Sequence, residues 1–150
     1  MSGKKILSIS AFIIWIAVIF LLSAQPKEES NALSMKVAEV VSQTVLPNRV
    51  VEEKGFNLYR LNNTIRTHAH FLSYLVLGIL TLNLLGVMGI SKYRVLISLL
   101  ICVVYAITDE FHQIFVPGRG AQISDILVDS FGALVGIEIM FLGRKAIGVK

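Results

Sequence analysis

"YAITDEFHQIFVPGRG", residues 105–120, closes one apolar run and leads into the next. A long oily stretch meets Asp109, Glu110, His112 and Gln113 within about one turn of helix. Pro117, Gly118 and Arg119 follow, and a second apolar run starts at Ile123. Two such runs joined by a short polar turn predict a pair of antiparallel membrane helices, since about 20 apolar residues suffice to cross a bilayer. Working outward, spans are expected at about 6–24, 68–89, 93–114 and 123–142. The predicted fold is an all-α membrane protein, a four-transmembrane-helix bundle formed by residues 1–150 as a single domain.

Composition agrees. Of the 150 residues, 55% are hydrophobic, which excludes a disordered or nucleic-acid-binding chain. The formal charge of +4 then reads as an orientation signal rather than a DNA-binding patch. The basic flanks Lys4/Lys5, Lys92/Arg94 and Arg144/Lys145/Lys150 share one side if the chain crosses four times, and the positive-inside rule makes that side cytoplasmic. Both termini are then inside, with residues 25–66 and 116–122 outside. Leu22-Ser23-Ala24 loosely resembles a signal-peptide cleavage site. The preceding apolar stretch is long for such a peptide, however, and its removal would leave three spans. Cys102 is the only cysteine, so no intramolecular disulfide and no cysteine metal site is expected; in mid-span it reads as a buried, inert thiol.

Ser30 to Leu46 carries apolar residues at Leu33, Val37, Val40, Val41 and Val45, close to helical spacing. This predicts an extracytoplasmic amphipathic segment after the first span, lying on the outer leaflet or covering the bundle, with Ser30 as its cap and Pro47 as its end.

Membrane helices turn polar faces toward each other, so helical phase locates them. Asp125 and Asp129 lie on one face of the fourth span, and Gly132 and Gly136 continue that stripe, where a neighbouring helix can approach closely. Tyr105, Asp109, His112 and Gln113 share a face of the third span, with Glu110 at its flank. Arg66, His70 and Tyr74 step round one side of the second, with Asn63 a turn earlier, while His68 points away. Glu138 lies off the stripe, and Trp15 is assigned to packing. Each ionisable group facing lipid costs on the order of 2–3 kcal/mol, so convergence into one partly hydrated pocket near the outer surface is the cheaper solution. Arg66, His70, Tyr74, Asp109, Glu110, His112, Gln113, Arg119, Asp125 and Asp129 are the candidate ligand-binding residues. Asp109 is expected to face His70 or Arg66, Glu110 to turn toward the loop with Arg119 as its cation, and His112 to cap the pocket. The same groups could instead form an ion-pair network that only holds the helices in register. No metal-ligand set and no cofactor motif is indicated.

At these residues the chain resembles the VanZ-like family of small bacterial membrane proteins. "DEFHQIFVPGRGAQISDILVDSFGALVG" is similar to the family's Asp-Glu-x-His-Gln, Pro-Gly-Arg, Asp-x-x-x-Asp and Gly-Ala pattern. "IRTHAHFLSYLVLGIL" resembles its second block through Arg66, His70, Phe71 and Tyr74, with Thr67 in place of the usual lysine. "LLSAQP" with Ser30 is similar to a third element after the first span. The resemblance implies a multi-pass cell-membrane protein, and the family's name-giving member is associated with resistance to teicoplanin, a lipid-bearing glycopeptide. The leading expectation is a pocket for a lipid-linked cell-wall intermediate or a lipoglycopeptide, in contact with membrane lipids. The alternatives are an intramembrane enzyme, with His112, His70 or Asp109 as catalytic candidates, and an assembly partner without a ligand. Against the enzyme, the chain has no His-Glu-x-x-His, no Gly-x-Ser-x-Gly and no phosphate-cradling glycine loop. Ser124, beside Asp125, reads as a helix cap rather than a nucleophile.

Overall fold

The computed structural model describes residues 3–44, 58–146 and 148. Five helices succeed one another along them: α1 (Gly3–Ser23), α2 (Lys27–Thr44), α3 (Leu58–Val87), α4 (Arg94–Gln113) and α5 (Ile123–Ala146). All but α2 are long and apolar enough to cross a membrane, so the chain is a multi-pass, all-α membrane bundle.

Helix α3 is the hub and packs against each of the other four, most extensively against α5. That contact rests on small residues. A Cβ on Gly132 would press into the carbonyl of Phe71, one on Gly136 into the carbonyl of Leu75, and one on Gly78 into the carbonyl of Ala133. Lipid tails are as apolar as leucine, so membrane helices gain little by hiding oily side chains from lipid and associate instead through close van der Waals approach. Most large aliphatic side chains accordingly point outward; Leu7, Leu21, Leu72 and Leu127 are examples. The interior holds Tyr74, Leu77, Cys102, Ala106 and Ala133, with Ile19 from α1. Two side chains fasten α1 to this core. Trp15 Nε1 donates to the Ser73 carbonyl at 2.9 Å, and the Tyr105 hydroxyl donates to the Ile16 carbonyl at 2.8 Å. Trp15 therefore contributes a hydrogen bond as well as packing.

Two features differ from expectation, the start of α3 and the start of α2, and a third, the buried face of α2, is one that periodicity leaves open. Helix α3 begins at Leu58 rather than near residue 68. Hydropathy sees only the oily part of a helix, and this one continues through a polar turn where Asn62 is fully buried. Helix α2 starts at Lys27, directly after Pro26, so Ser30 lies inside it and donates its backbone N–H to the Pro26 carbonyl at 3.1 Å. The buried face of α2 is also not the aliphatic one. Ser34, Ala38 and Ser42 are buried, while Leu33, Val37 and Val40 are exposed. The physical reason is again the small-residue rule: the narrow stripe lets α2 approach α3, and the valines are left for lipid or for the cleft described below. Val45, Leu46, Pro47 and Lys150 lie outside the described residues.

The close α3–α5 contact predicts an asymmetric effect of alanine. Gly136→Ala must displace backbone and should cost about 1–3 kcal/mol or more. Gly143, with nothing within 4 Å of its Cβ direction, should tolerate alanine or gain a few tenths of a kcal/mol or so from helix propensity. Melting of the two variants in detergent checks this; equal shifts would count against the glycine-mediated contact.

Candidate functional site

The turn quoted at the outset is built by its own sequence. The end of α4 tightens into bonds from Ile114, Phe115 and Val116 to the carbonyls three residues back. Pro117 and Gly118 then take the two central places of a turn closed by Arg119 N–H on the Val116 carbonyl at 3.1 Å. Gly118 has φ 73°, which the third position of such a turn requires. The turn also meets the start of α2. The Lys27 N–H, one of the unpaired donors at that helix's start, donates to the Pro117 carbonyl at 3.2 Å. A Cβ on Gly118 would crowd Lys27 Cβ at 3.2 Å. The Gln-Pro-Lys element after α1 and the Pro-Gly-Arg turn are thus parts of one structure.

The acids separate as adjacent helical positions must. Glu110, 1% exposed, turns to the loop, and its Oε2 accepts the backbone N–H of Gln122 at 2.7 Å, at the very start of α5. A carboxylate there complements the helix's positive end. Its partner is therefore a backbone amide and not Arg119, because the turn carries the Arg119 guanidinium past it to the end of α1. There Nη2 reaches the Leu22 carbonyl at 3.5 Å. Asp109 faces inward beside Ser23 and Gln113, in electrostatic range of His70, yet neither carboxylate oxygen makes a bond of standard geometry. Asp129 is fully buried, with its Oδ1 3.5 Å from His70 Nδ1. Asp125 is half-buried in the first turn of α5 and accepts from the Ser124 hydroxyl at 3.2 Å. Ser124 is exposed and lies past the cap position, inside the helix that starts at Ile123; Gln122 supplies the carbonyl that closes the first turn.

Asp109, Glu110 and Asp125 lie in electrostatic range of Arg119, but none is within ion-pair distance of either arginine. Among the described residues, His70–Asp129 is the one carboxylate pair within ion-pair distance. Arg66 Nη1 instead donates to Asn31 Oδ1 at 3.4 Å, a neutral partner on α2. Arg119 lies below its ordinary pKa, first because of burial and then because of the Arg66 guanidinium nearby. Two cations thus face each other, and each bonds to a neutral oxygen.

Around them are two adjoining cavities. One is an apolar cleft of about 210 Å³ between α1, α2 and α3, walled by Ile19, Leu22, Leu33, Val37 and Ile65. The other, of about 450 Å³, is polar and is lined by Lys27, Asn63, Thr67, Gln113, Gln122 and Asp125 among others. Arg66, His70 and Arg119 line both. Tyr74 and Asp109 close the inner end of the cleft.

Of the candidate residues, Arg66, His70, Tyr74, Asp109, Gln113, Arg119 and Asp125 line one cavity or both. Asp129 sits behind His70, and Glu110 is spent on the loop. His112 does not cap the pocket: its ring packs on Phe20 with centroids 4.7 Å apart, on the α1 side, and it lines neither cavity. His68 is exposed and bonds through Nδ1 to the Thr64 carbonyl at 2.7 Å. Sequence reasoning missed Lys27 and the aliphatic wall of α2. The signal for Lys27 was its place directly after Gln25-Pro26; the wall could not be found, because periodicity left those residues facing either the outer leaflet or the bundle.

A multi-pass helical membrane protein with ionisable side chains gathered at one end of its bundle is the class these features define. Residues 8–144 match the VanZ/LLP1 family, and the chain belongs to it. No curated protein and no solved structure matches the chain.

The Glu110–Gln122 bond sets a test for the site's frame. Glu110→Ala leaves the Gln122 amide without its acceptor and should cost about 1–3 kcal/mol. Glu110→Gln keeps an acceptor and should cost less than half of that. Melting temperatures decide; equal losses would show that charge rather than the bond matters.

Proposed function

We propose that the protein binds an amphipathic, anionic molecule of the cell envelope, with the cavity end of the bundle outside the cytoplasm and both termini inside. One observation carries the reading: an apolar cleft and a polar cavity adjoin, and the residues they share include two guanidiniums that have no carboxylate within ion-pair distance among the described residues. This is what a molecule with an oily chain and a charged head requires. An ion-pair network serving only helix register would have joined these arginines to the acids around them. Arg66 and Arg119 hold phosphate or carboxylate, for which the planar fork suits them, and Lys27 adds charge at the rim. Asp125 meets amines or hydroxyls of the head. Leu22, Leu33, Val37 and Ile65 hold the start of the chain. The cleft's small volume suits only the part of a long chain next to the head, with the remainder in the bilayer.

A lipid-linked cell-wall intermediate and a lipoglycopeptide both have this chemistry. Binding either one is a route to the teicoplanin resistance associated with the family's name-giving member. A catalytic reading keeps one specific support: His70, backed by Asp129, is an imidazole–carboxylate pair that opens onto both cavities.

Native mass spectrometry in mild detergent tests the binding reading. The wild-type protein should retain a lipid with an acidic head, and Arg66→Gln/Arg119→Gln should release it with little change in melting temperature. Equal occupancy in the variant would reject the proposal. Orientation is tested separately in a Cys102→Ser background. An impermeant maleimide should label Ala121→Cys in intact cells and spare Ser91→Cys; the reverse pattern would place the cavities inside.

A further inference from the structure

The opposite end of the bundle carries basic residues at each span: Lys4 and Lys5 on α1, Lys92 and Arg94 where α3 gives way to α4, and Arg144 and Lys145 in the last turn of α5. Two of these are brought together by the fold. Arg144 Nη1 and Arg94 Nη1 lie 2.5 and 2.9 Å from the point that a Cβ on Gly86 would occupy. Guanidiniums from α4 and α5 therefore meet over one glycine of α3. Arg144 is held in that position. Its Nη2 donates to Asn83 Oδ1 at 3.2 Å, and Asn83 Nδ2 donates to Ser8 Oγ at 3.0 Å. This chain ties α5 to α3 and α1 and leaves Nη1 turned toward Arg94.

Among the described residues neither guanidinium has an ion-pair partner, and Glu138, the nearest acid along α5, is exposed and forms no ion pair. Like charges gathered at one spot repel one another, and a bridging anion removes the penalty. Both arginines lie at span ends, where the headgroup layer begins. There the abundant anion is lipid phosphate, and basic pockets between helices are where such headgroups lodge. Exposed Met88, Leu96 and Phe141 offer the surrounding apolar surface for acyl chains.

We propose that Arg94 and Arg144 grip the phosphate of an anionic phospholipid over Gly86, in the leaflet opposite the candidate functional site. The site is separate from the cavities and does not depend on what they bind.

The experiment follows the melting temperature of the purified protein in neutral detergent as short-chain phosphatidylglycerol, phosphatidylcholine or inorganic phosphate is added, since a ligand of the folded state raises it. Phosphatidylglycerol should raise it and phosphatidylcholine should not. Arg94→Gln should weaken the response about tenfold or more, the scale of one charge-assisted bond, while Arg94→Lys, which keeps the charge, should keep part of it. The Arg94 side chain makes no hydrogen bond within the described residues, so its replacement leaves the fold intact. Arg66→Gln/Arg119→Gln should keep the part of the response that Arg94→Gln removes, which separates this site from the cavities. An unchanged response in Arg94→Gln, or an equal one to phosphatidylcholine, overturns the proposal. Inorganic phosphate matching phosphatidylglycerol overturns its assignment to a lipid.

Discussion

The backbone contact between α3 and α5 governs the rest of the molecule. Gly132 and Gly136 lie against the carbonyls of Phe71 and Leu75, and Gly78 lies against that of Ala133. Such contacts tolerate almost no sliding, because a shift of one residue along either helix sets a Cβ where a carbonyl must pass. The register they fix determines the chemistry a turn away. His70 directly precedes Phe71, and Asp129 lies one helical turn before Gly132. The His70–Asp129 contact, the one imidazole–carboxylate pair within ion-pair distance among the described residues, is therefore a consequence of the glycine contact and need not supply the binding energy between the helices. In a bilayer that is the economical order of causes. Buried charges are expensive to bring together and weak as glue, whereas close packing of small residues supplies attraction without desolvating anything.

The segregation of charges at the cavity end follows from the loop. Glu110 is occupied by the Gln122 amide, and the Pro117-Gly118 turn carries Arg119 across to the end of α1. Arg66 is drawn toward α2 by Asn31. Each arginine thus ends beside a neutral oxygen at the boundary between an oily and a polar space. Had Arg119 paired with Glu110, the wall shared by the two cavities would keep Arg66 alone of its two guanidiniums, and an anionic head would find half the counter-charge there.

Much of this was legible in the sequence, for identifiable reasons. Four spans could be read because apolar runs of that length have few other uses. The Asp125–Asp129–Gly132–Gly136 face could be read because helical phase is reliable where a span is uninterrupted. The inward turn of Asp109 and the loopward turn of Glu110 followed from adjacent positions pointing about 100° apart. What failed was reasoning that needed a partner's position. The cation for Glu110 depends on how far a turn travels, and a backbone amide has no sequence signature. His112 shares a face with Asp109 but is captured by Phe20 from α1, whose rotation the sequence does not encode. The buried face of α2 stayed open because an amphipathic helix on the leaflet and one covering the bundle have the same periodicity. Next to lipid, the oily face can point outward and the serines inward.

Docking through that small-residue face also explains how the cleft forms. If α2 had docked through its valines, their bulk would have filled the space beside α3. Docking through Ser34, Ala38 and Ser42 brings the α2 backbone close to α3 and turns Leu33 and Val37 to one side, where Ile19 and Leu22 of α1 stand opposite. An apolar cleft results, walled by transmembrane and interfacial helices, with charged groups at its inner end. A space bounded in this way is continuous in character with the bilayer beside it. A molecule already dissolved in the membrane could enter chain-first or head-first without exposing its chain to water. The lipid-like ligand proposed for the site is therefore favoured over a water-soluble one by the manner of α2 docking as well as by the arginines.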